Sequence, residues 1–502
     1  MYARRYGLLS MGTSAFATIL QGLTLAITYW LLKRQWGAEH LGAWSIIVSI
    51  LMFGRIAEFG MGQSLIGLLP KALASGDRDA ARNTYVTVMA VTLAIFAALA
   101  LPAYIAGTAV LAANVPKLLL PEVRRAFAVA LAGFVFANIA LTTASAANGL
   151  GRVHLSNGAA ALGALANLVA TVMLISTRGV EALAWGNLAA GIVTFAAGTL
   201  VVAGTLGSPL ALAHHFKPAL LKDFMKFGVS MQAISIASAL TDLVVKLSVT
   251  RLSGIEATGV YEQASRYVLF LRGLLGTSQS YIGGVISRLH HRDGDVAVML
   301  TGNSRLSISL GLFYVSLTMI FAGLVAHAWT GEHAALFYLM VSMLVVGWAL
   351  NVVVSPLYYA MLGIGNLSQA IVTQALYFGL TAAGCFFIFS NELDGIWAVG
   401  SISFALAFSQ VYLFRQCLNR WTIRLADIAD RYLATVAICS FASIAIAIAV
   451  ENGFGAEMTD STHLILASLI GLVYVAVYAM AESRTVSAFW HTAANCRETW
   501  RN

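Results

Sequence analysis

Seven ionisable side chains stand inside long apolar runs of this chain: Arg55 and Glu58, Asp242 and Lys246, and Glu262, Arg266 and Arg272. A charge in hydrocarbon is costly, so such residues face a protein interior or a water-filled cavity and mark ion or substrate paths. Spacings of three and four put Arg55 with Glu58, Asp242 with Lys246, and Glu262 with Arg266 on shared helix faces. Two readings of these pairs stay open. They are self-neutralising structural devices, or they line a cavity and meet a ligand or a coupling ion. Arg272 differs, because the residue that corresponds to Glu58 in the duplication described below is Leu275. Arg55 and Arg272 are therefore expected to contact an anion, since the guanidinium fork suits phosphate oxygens.

The elements that must position these groups follow from composition. Of 502 residues, 59% are hydrophobic and 10% charged, and mean hydropathy is +0.81, outside the range of water-soluble domains. The apolar runs are continuous and about twenty residues long, which suits membrane-spanning helices and not the short alternating segments of a β-barrel. Windows of that kind fall at 11–32, 41–69, 84–110, 126–147, 156–176 and 182–204, then at 228–250, 259–287, 305–326, 334–361, 367–389 and 395–417. A last pair falls at 432–450 and 463–481, so the expected fold is all-α and polytopic with 14 transmembrane helices. With the N-terminus inside, lysine and arginine concentrate on the inner loops, whereas the last three outer loops carry only acids such as Glu332, Asp394 and Asp460. The bias predicts that both termini are cytoplasmic.

Several classes are excluded or disfavoured. The net charge of +8 is scattered over short loops, so no nucleic-acid partner is expected. His214/His215 and His290/His291 are adjacent loop pairs and not helical i, i+4 pairs, and the four cysteines form no C-x-x-C, so no metal, thiolate site or other cofactor is expected. There is no P-loop sequence and no outer loop large enough to carry hydrolytic or glycosyl-transfer residues, which argues against an enzyme. Pro102 and Pro356 interrupt apolar runs and predict kinks.

The chain is also written twice. Gly37, Glu39, Gly42 and Trp44 recur as Gly254, Glu256, Gly259 and Tyr261, each 217 positions on, and Arg55 lands on Arg272. Gly149 and Gly151 recur as Gly363 and Gly365 after 214 positions. Six helices separate equivalents, an even number, so the two copies are parallel repeats, one of the common plans of secondary transporters. The expected division is 1–205 with the first six helices, 206–420 with the next six, and 421–502 with the final pair and tail.

The duplicated G-x-E-x-x-G-x-aromatic segment, followed by a helix ending in Arg55, Ile56, Ala57, Glu58, Phe59, Gly60 and Met61, resembles a pattern early in polysaccharide flippases of the MOP superfamily. That superfamily includes Wzx-type oligosaccharide flippases, the lipid II flippase MurJ and the MATE multidrug antiporters. The resemblance implies a V-shaped pair of six-helix lobes around a cavity that faces each side of the bacterial inner membrane in turn. It implies a cargo of undecaprenyl-diphosphate-linked oligosaccharide, for O-antigen, capsule or exopolysaccharide, with membrane lipids, a polysaccharide polymerase and assembly proteins as partners. Arg55 and Arg272 then serve the diphosphate, Lys246 and Arg266 add positive charge, and Glu58, Asp242 and Glu262 are charge partners or ion-coupling groups. The 11–32 run lacks the basic residues of the lipid II flippase, which favours a Wzx-like role. A cation-coupled MATE-like exporter, a lipid II flippase and a membrane polymerase are the rival readings.

Overall fold

A computed structural model describes residues 2–54, 77–207, 216–217, 221–276, 296–363, 367–428, 431–454, 466–476 and 478, with 62, 65, 66, 69 and 73. Every regular element among the described residues is helical. This is the outcome that lipid demands of apolar runs, because a helix satisfies its backbone polar groups within the segment. The chain is a multi-pass α-helical membrane protein. Eight stretches among the described residues are long and apolar enough to cross a bilayer, and one of them, Met299–Met361, contains two of the windows read from the sequence. Large apolar side chains such as Leu200, Phe386 and Phe404 lie outward on these helices.

In chain order the helices are α1 (Tyr2–Trp36), α2 (Ala38–Gly54), α3 (Arg78–Asn114), α4 (Leu120–Gly149), α5 (Val153–Arg178) and α6 (Val180–Leu206). Then follow α7 (Leu221–Gly276), α8 (Val296–Thr330), α9 (Ala334–Gly363), α10 (Leu367–Ser390) and α11 (Trp397–Arg420). The one-turn α12 (Leu425–Ile428), α13 (Arg431–Phe454) and α14 (Leu466–Ala476) follow among the described residues. Asp77 caps α3, its carboxylate accepting from the Ala80 amide at 2.8 Å. Helices α3 and α9 run on through Pro102 and Pro356. The windows 228–250 and 259–287 meet in α7, which carries a single non-helical residue, Gly254, at φ 91°.

The chain forms two compact units, Met1–Glu262 and Gln263–Asn502. In the first, α4 packs on α6, α6 on α5, and α5 on α1. Glycines permit the close approach: a Cβ on Gly133 would stand 2.9 Å from the Leu188 amide nitrogen. In the second, α9 lies against α8 and α11, around buried Leu300, Val354, Leu357 and Leu413. There α13 and α14 pack on α8, where Phe313 stacks on Tyr474 at 5.7 Å and Ser440 bonds Tyr474 at 2.8 Å. The first unit ends at Glu262, beyond the polar linker after residue 206 that separates the sequence repeats. The contacts that tie α7 to α1 and α2 supply the reason.

Candidate functional site

The site grows from two glycine corners. Gly37 separates α1 from α2 at φ 90°, and Gly254 breaks α7 at φ 91°, so residues 217 apart in sequence adopt the same left-handed backbone conformation. Neither has any atom within 4 Å of where a Cβ would stand, so backbone conformation and not crowding calls for glycine there. Five residues further on, Gly42 and Gly259 do the opposite. A Cβ on Gly42 would lie 2.1 Å from the Ile255 carbonyl oxygen, and one on Gly259 would lie 2.5 Å from the Ala38 carbonyl oxygen. Ile255 is the counterpart of Ala38, so the contact is reciprocal: each corner seats its glycine on the first turn of the other. Two helical hairpins thus cross about a local pseudo-twofold axis.

Above the crossing, polar side chains bond in layers, first within the α7 hairpin and then between the two hairpins. Thr250 and Thr258, four residues either side of Gly254, bond each other at 2.8 Å. Eight residues either side of the two corner glycines lie Tyr29 and Ser45 on one hairpin and Lys246 and Glu262 on the other, and these four meet. The Lys246 ammonium is 2.7 Å from Glu262 Oε2. Ser45 donates to Glu262 Oε2 at 2.9 Å, and the Tyr29 hydroxyl donates to Oε1 at 3.2 Å while accepting from Trp44 Nε1 at 3.2 Å. One turn further from the corners, Asp242 Oδ2 receives Lys246 Nζ at 2.9 Å and Ser49 Oγ at 3.0 Å. Glu262 and Lys246 are buried, at 0% and 2% side-chain exposure, whereas Asp242 is 35% exposed. The polar ladder therefore runs from fully buried near the corners to partly exposed one turn away. Full desolvation is tolerable for Glu262 because its ammonium and hydroxyl partners together satisfy both oxygens.

The first corner is itself pinned from outside. Trp36 Nε1 donates to the Ile175 carbonyl at 2.7 Å, and Glu122 accepts from the Val180 amide at 2.9 Å while lying 3.7 Å from His40.

In the second unit the guanidinium of Arg272 is held by α9. Its Nε donates to Asn351 Oδ1 at 2.9 Å, and its Cζ lies 5.1 Å from the centre of the Trp348 ring, one turn earlier on the same helix. The phenols of Tyr314, Tyr358, Tyr359 and Tyr377 lie within electrostatic reach. A half-buried guanidinium fixed through Nε and stacked on an indole is oriented before any ligand arrives, with its terminal nitrogens directed as a fork.

Of the residues singled out in the sequence, Asp242, Lys246 and Glu262 come together. Asp242 pairs with Lys246 as spacing predicts. Glu262, read from spacing as the partner of Arg266, bonds Lys246 across the Gly254 corner, because the reversal of α7 brings residues sixteen apart face to face. Arg266 is half-buried in the second unit. Arg55 and Glu58 lie outside the described residues. Sequence reasoning missed Tyr29, Ser45, Ser49, Trp348 and Asn351. The first two were findable, since Ser45 is the 217-residue counterpart of Glu262 and Tyr29 that of Lys246. Neutral Trp348 and Asn351 carry no such signal.

Comparison with known proteins bears on what this arrangement belongs to. The MatE family model matches residues 14–173. No curated protein matches the sequence. Among solved structures, the inward-facing form of a multidrug resistance MATE transporter of the MOP superfamily superposes with a TM-score of 0.67 at 15% identity, covering 83% of this chain and 98% of that one. The lipid II flippase MurJ, in an inward closed conformation, gives 0.70 at 13% identity and covers 94% of this chain and 99% of that one. A MOP-superfamily transporter from Pyrococcus furiosus, described as having a binding pocket of reverse polarity, gives 0.59 at 14% identity over 82% and 97%. The fold is that of the MOP-superfamily transporters. The additional coverage by MurJ reflects a chain longer than the MATE structures account for.

Proposed function

We propose that this protein is a non-enzymatic flippase that carries an undecaprenyl-diphosphate-linked oligosaccharide, an O-antigen, capsule or exopolysaccharide repeat unit, from the cytoplasmic to the periplasmic leaflet. The observation that carries the reading is the pre-oriented guanidinium of Arg272, anchored on Asn351 and Trp348, within a fold shared with a lipid-diphosphate flippase over 94% of the chain. An anchored fork suits paired phosphate oxygens, and flanking aromatic rings suit sugar faces. Arg55, the repeat counterpart of Arg272, supplies the second fork, and Arg266 adds to the positive field. Grip on the anion must stay modest, since a site that held it more tightly in one state than the other could afford no release. No cofactor takes part. The protein sits in the bacterial inner membrane with both termini cytoplasmic, and it passes its cargo to a polymerase and assembly proteins.

A second reading, a cation-coupled multidrug exporter, draws on the MatE match at residues 14–173. It needs an acid free to bind a cation, and the two carboxylates best placed, Asp242 and Glu262, both bond Lys246. Purified protein in liposomes separates the readings. Fluorescent lipid-linked oligosaccharide in the inner leaflet should become accessible outside with the wild-type chain and slow strongly with Arg272→Ala. Equal rates for both chains, or dye export in place of lipid translocation, would overturn the proposal.

A further inference from the structure

We infer, resting on the flippase reading, that Tyr358 and Tyr359 of α9 bind the first sugar of the cargo, a pyranose next to the diphosphate that Arg272 holds. Four phenols lie within electrostatic reach of the Arg272 guanidinium, and they differ in how their hydroxyls are used. Tyr314 donates to the Val268 carbonyl at 3.0 Å, so its hydroxyl is committed to the fold. Tyr377 is buried on α10. Tyr358 and Tyr359 are both half-buried, and neither hydroxyl makes a hydrogen bond among the described residues. A phenol withdrawn from bulk water normally finds a partner for its O–H. Two uncommitted hydroxyls side by side, next to a guanidinium already oriented for an anion, mark a place where a polar ligand completes the set.

The helix itself says where that ligand lies. Asn351 fixes Arg272 Nε, and Trp348 carries the guanidinium over its ring. Tyr358 follows Asn351 by seven residues, close to two turns, and Tyr359 follows Trp348 by eleven, close to three. The phenols therefore stand on the same two faces of α9 as the residues that hold the guanidinium, about 10 Å further along the axis. That spacing separates them from the fork and suits the group attached next to the anion. Their rings meet edge to face at 5.8 Å and 72°, so together they present aromatic surface and two hydroxyls. No residue from Trp348 to Tyr359 is charged, so this part of the site selects a neutral group. Ionised phosphate oxygens only accept hydrogen bonds, whereas a phenol both donates and accepts, as sugar hydroxyls do. A pyranose offers the matching surface, apolar C–H on its faces and hydroxyls around its rim. A cargo without the sugar would leave both phenols unmet, and sites built to bond a substrate hydroxyl discriminate against analogues that lack it.

The test is translocation in proteoliposomes of two fluorescent lipids, a polyprenyl diphosphate bearing one glucose and the same polyprenyl diphosphate with no sugar. The parent chain should reach half-maximal rate at a lower concentration of the glucosylated lipid. Tyr358→Phe and Tyr359→Phe keep the ring and remove the hydroxyl. Each should raise the half-saturating concentration about three- to tenfold more for the glucosylated lipid than for the bare one, and the double variant should erase the parent's preference. Arg272→Ala should slow both lipids to the same degree. Elution profile and Tm check that each variant is folded. Equal effects of the phenylalanine variants on both lipids would mean that the phenols act only through the field at Arg272, and would overturn the assignment. So would variants that match the parent on both. A parent chain that moves neither lipid overturns the flippase reading and the sugar site with it, whereas a parent that moves both, with variants that do not discriminate, overturns the sugar site alone.

Discussion

Replacing Gly42 by alanine puts the reciprocal crossing to a quantitative test. The added Cβ would stand 2.1 Å from the Ile255 carbonyl oxygen and 2.9 Å from its Cγ1, where real Cβ contacts are essentially never under 3.0 Å. The obstacle is backbone, so no rotamer change relieves it, and the two helix starts must separate by about 0.9 Å at the least. Overpacking of this kind costs about 1–3 kcal/mol. The same displacement strains the bond of Ser45 to Glu262 at 2.9 Å, three residues along the helix, and hydrogen bonds to charged groups contribute about 1.5–3 kcal/mol each. A loss of about 3–5 kcal/mol is expected, partly offset by the helix propensity of alanine, which favours it over glycine by about 1 kcal/mol. The internal control is Gly158→Ala on the exposed face of α5, where nothing lies within 4 Å of the new methyl and only the propensity gain applies. Thermal unfolding of detergent-purified protein, followed by intrinsic fluorescence, should show a large drop in Tm for Gly42→Ala and an unchanged or slightly raised Tm for Gly158→Ala. A Gly42→Ala protein as stable as the parent would refute the close crossing and with it the register of both hairpins.

The two corner glycines should behave alike: Gly37→Ala and Gly254→Ala each force an L-residue to φ near 90°, costing about 1–2 kcal/mol without steric clash, and unequal Tm losses would argue against equivalent corners. Tyr29→Phe and Ser45→Ala each remove one donor from the buried Glu262 carboxylate, so each should destabilise by about 1.5–3 kcal/mol, and a double-mutant cycle should show coupling because they serve one acceptor. In the reconstituted translocation assay Asn351→Ala should slow transport less than Arg272→Ala, since it frees the fork without removing its charge, and Arg272→Lys should resemble Arg272→Ala because an ammonium neither stacks nor forks. An Asn351→Ala protein slower than Arg272→Ala would show that the asparagine meets cargo itself.

How far the sequence reached depended on which residues carry a signal. Hydropathy finds apolar helices because the bilayer permits little else, and the windows at 84–110, 126–147 and 156–176 lie inside α3, α4 and α5. Charges in apolar runs announce themselves, which is why Asp242, Lys246 and Glu262 were legible as residues that must find partners. Spacing along one helix decided correctly for Asp242 with Lys246. It could not reach the bond of Glu262 to Lys246, because the i, i+4 rule looks along one limb, whereas the reversal at Gly254 presents another limb at contact distance. The information was nonetheless present in the repeat offset, since 217 residues separate Ser45 from Glu262 and Tyr29 from Lys246. Trp348 and Asn351 were not recoverable in this way. An asparagine or a tryptophan in a membrane helix has many ordinary uses, and only the folded approach of α9 to α7 shows which use is made of these two.

The polar ladder also answers a question that apolar helices raise about themselves. Two hairpins whose surfaces are mainly Ala, Leu, Ile and Val can slide past each other by a helical turn with little change in apolar contact, because lipid and side chains are nearly equivalent solvents for one another. A buried ion pair adds little net stability, but it sets register well, since any slip leaves a desolvated charge behind. Here a shift of one turn, about 5.4 Å, would carry Glu262 away from Ser45 and Tyr29 and Gly42 away from the Ile255 carbonyl. Only the observed register puts the glycines of each corner on the backbone of the other while the side chains eight residues out converge. The same features that fix the register therefore limit the motion available: the corners cannot creep, and a change of state requires the whole set of contacts to part and re-form.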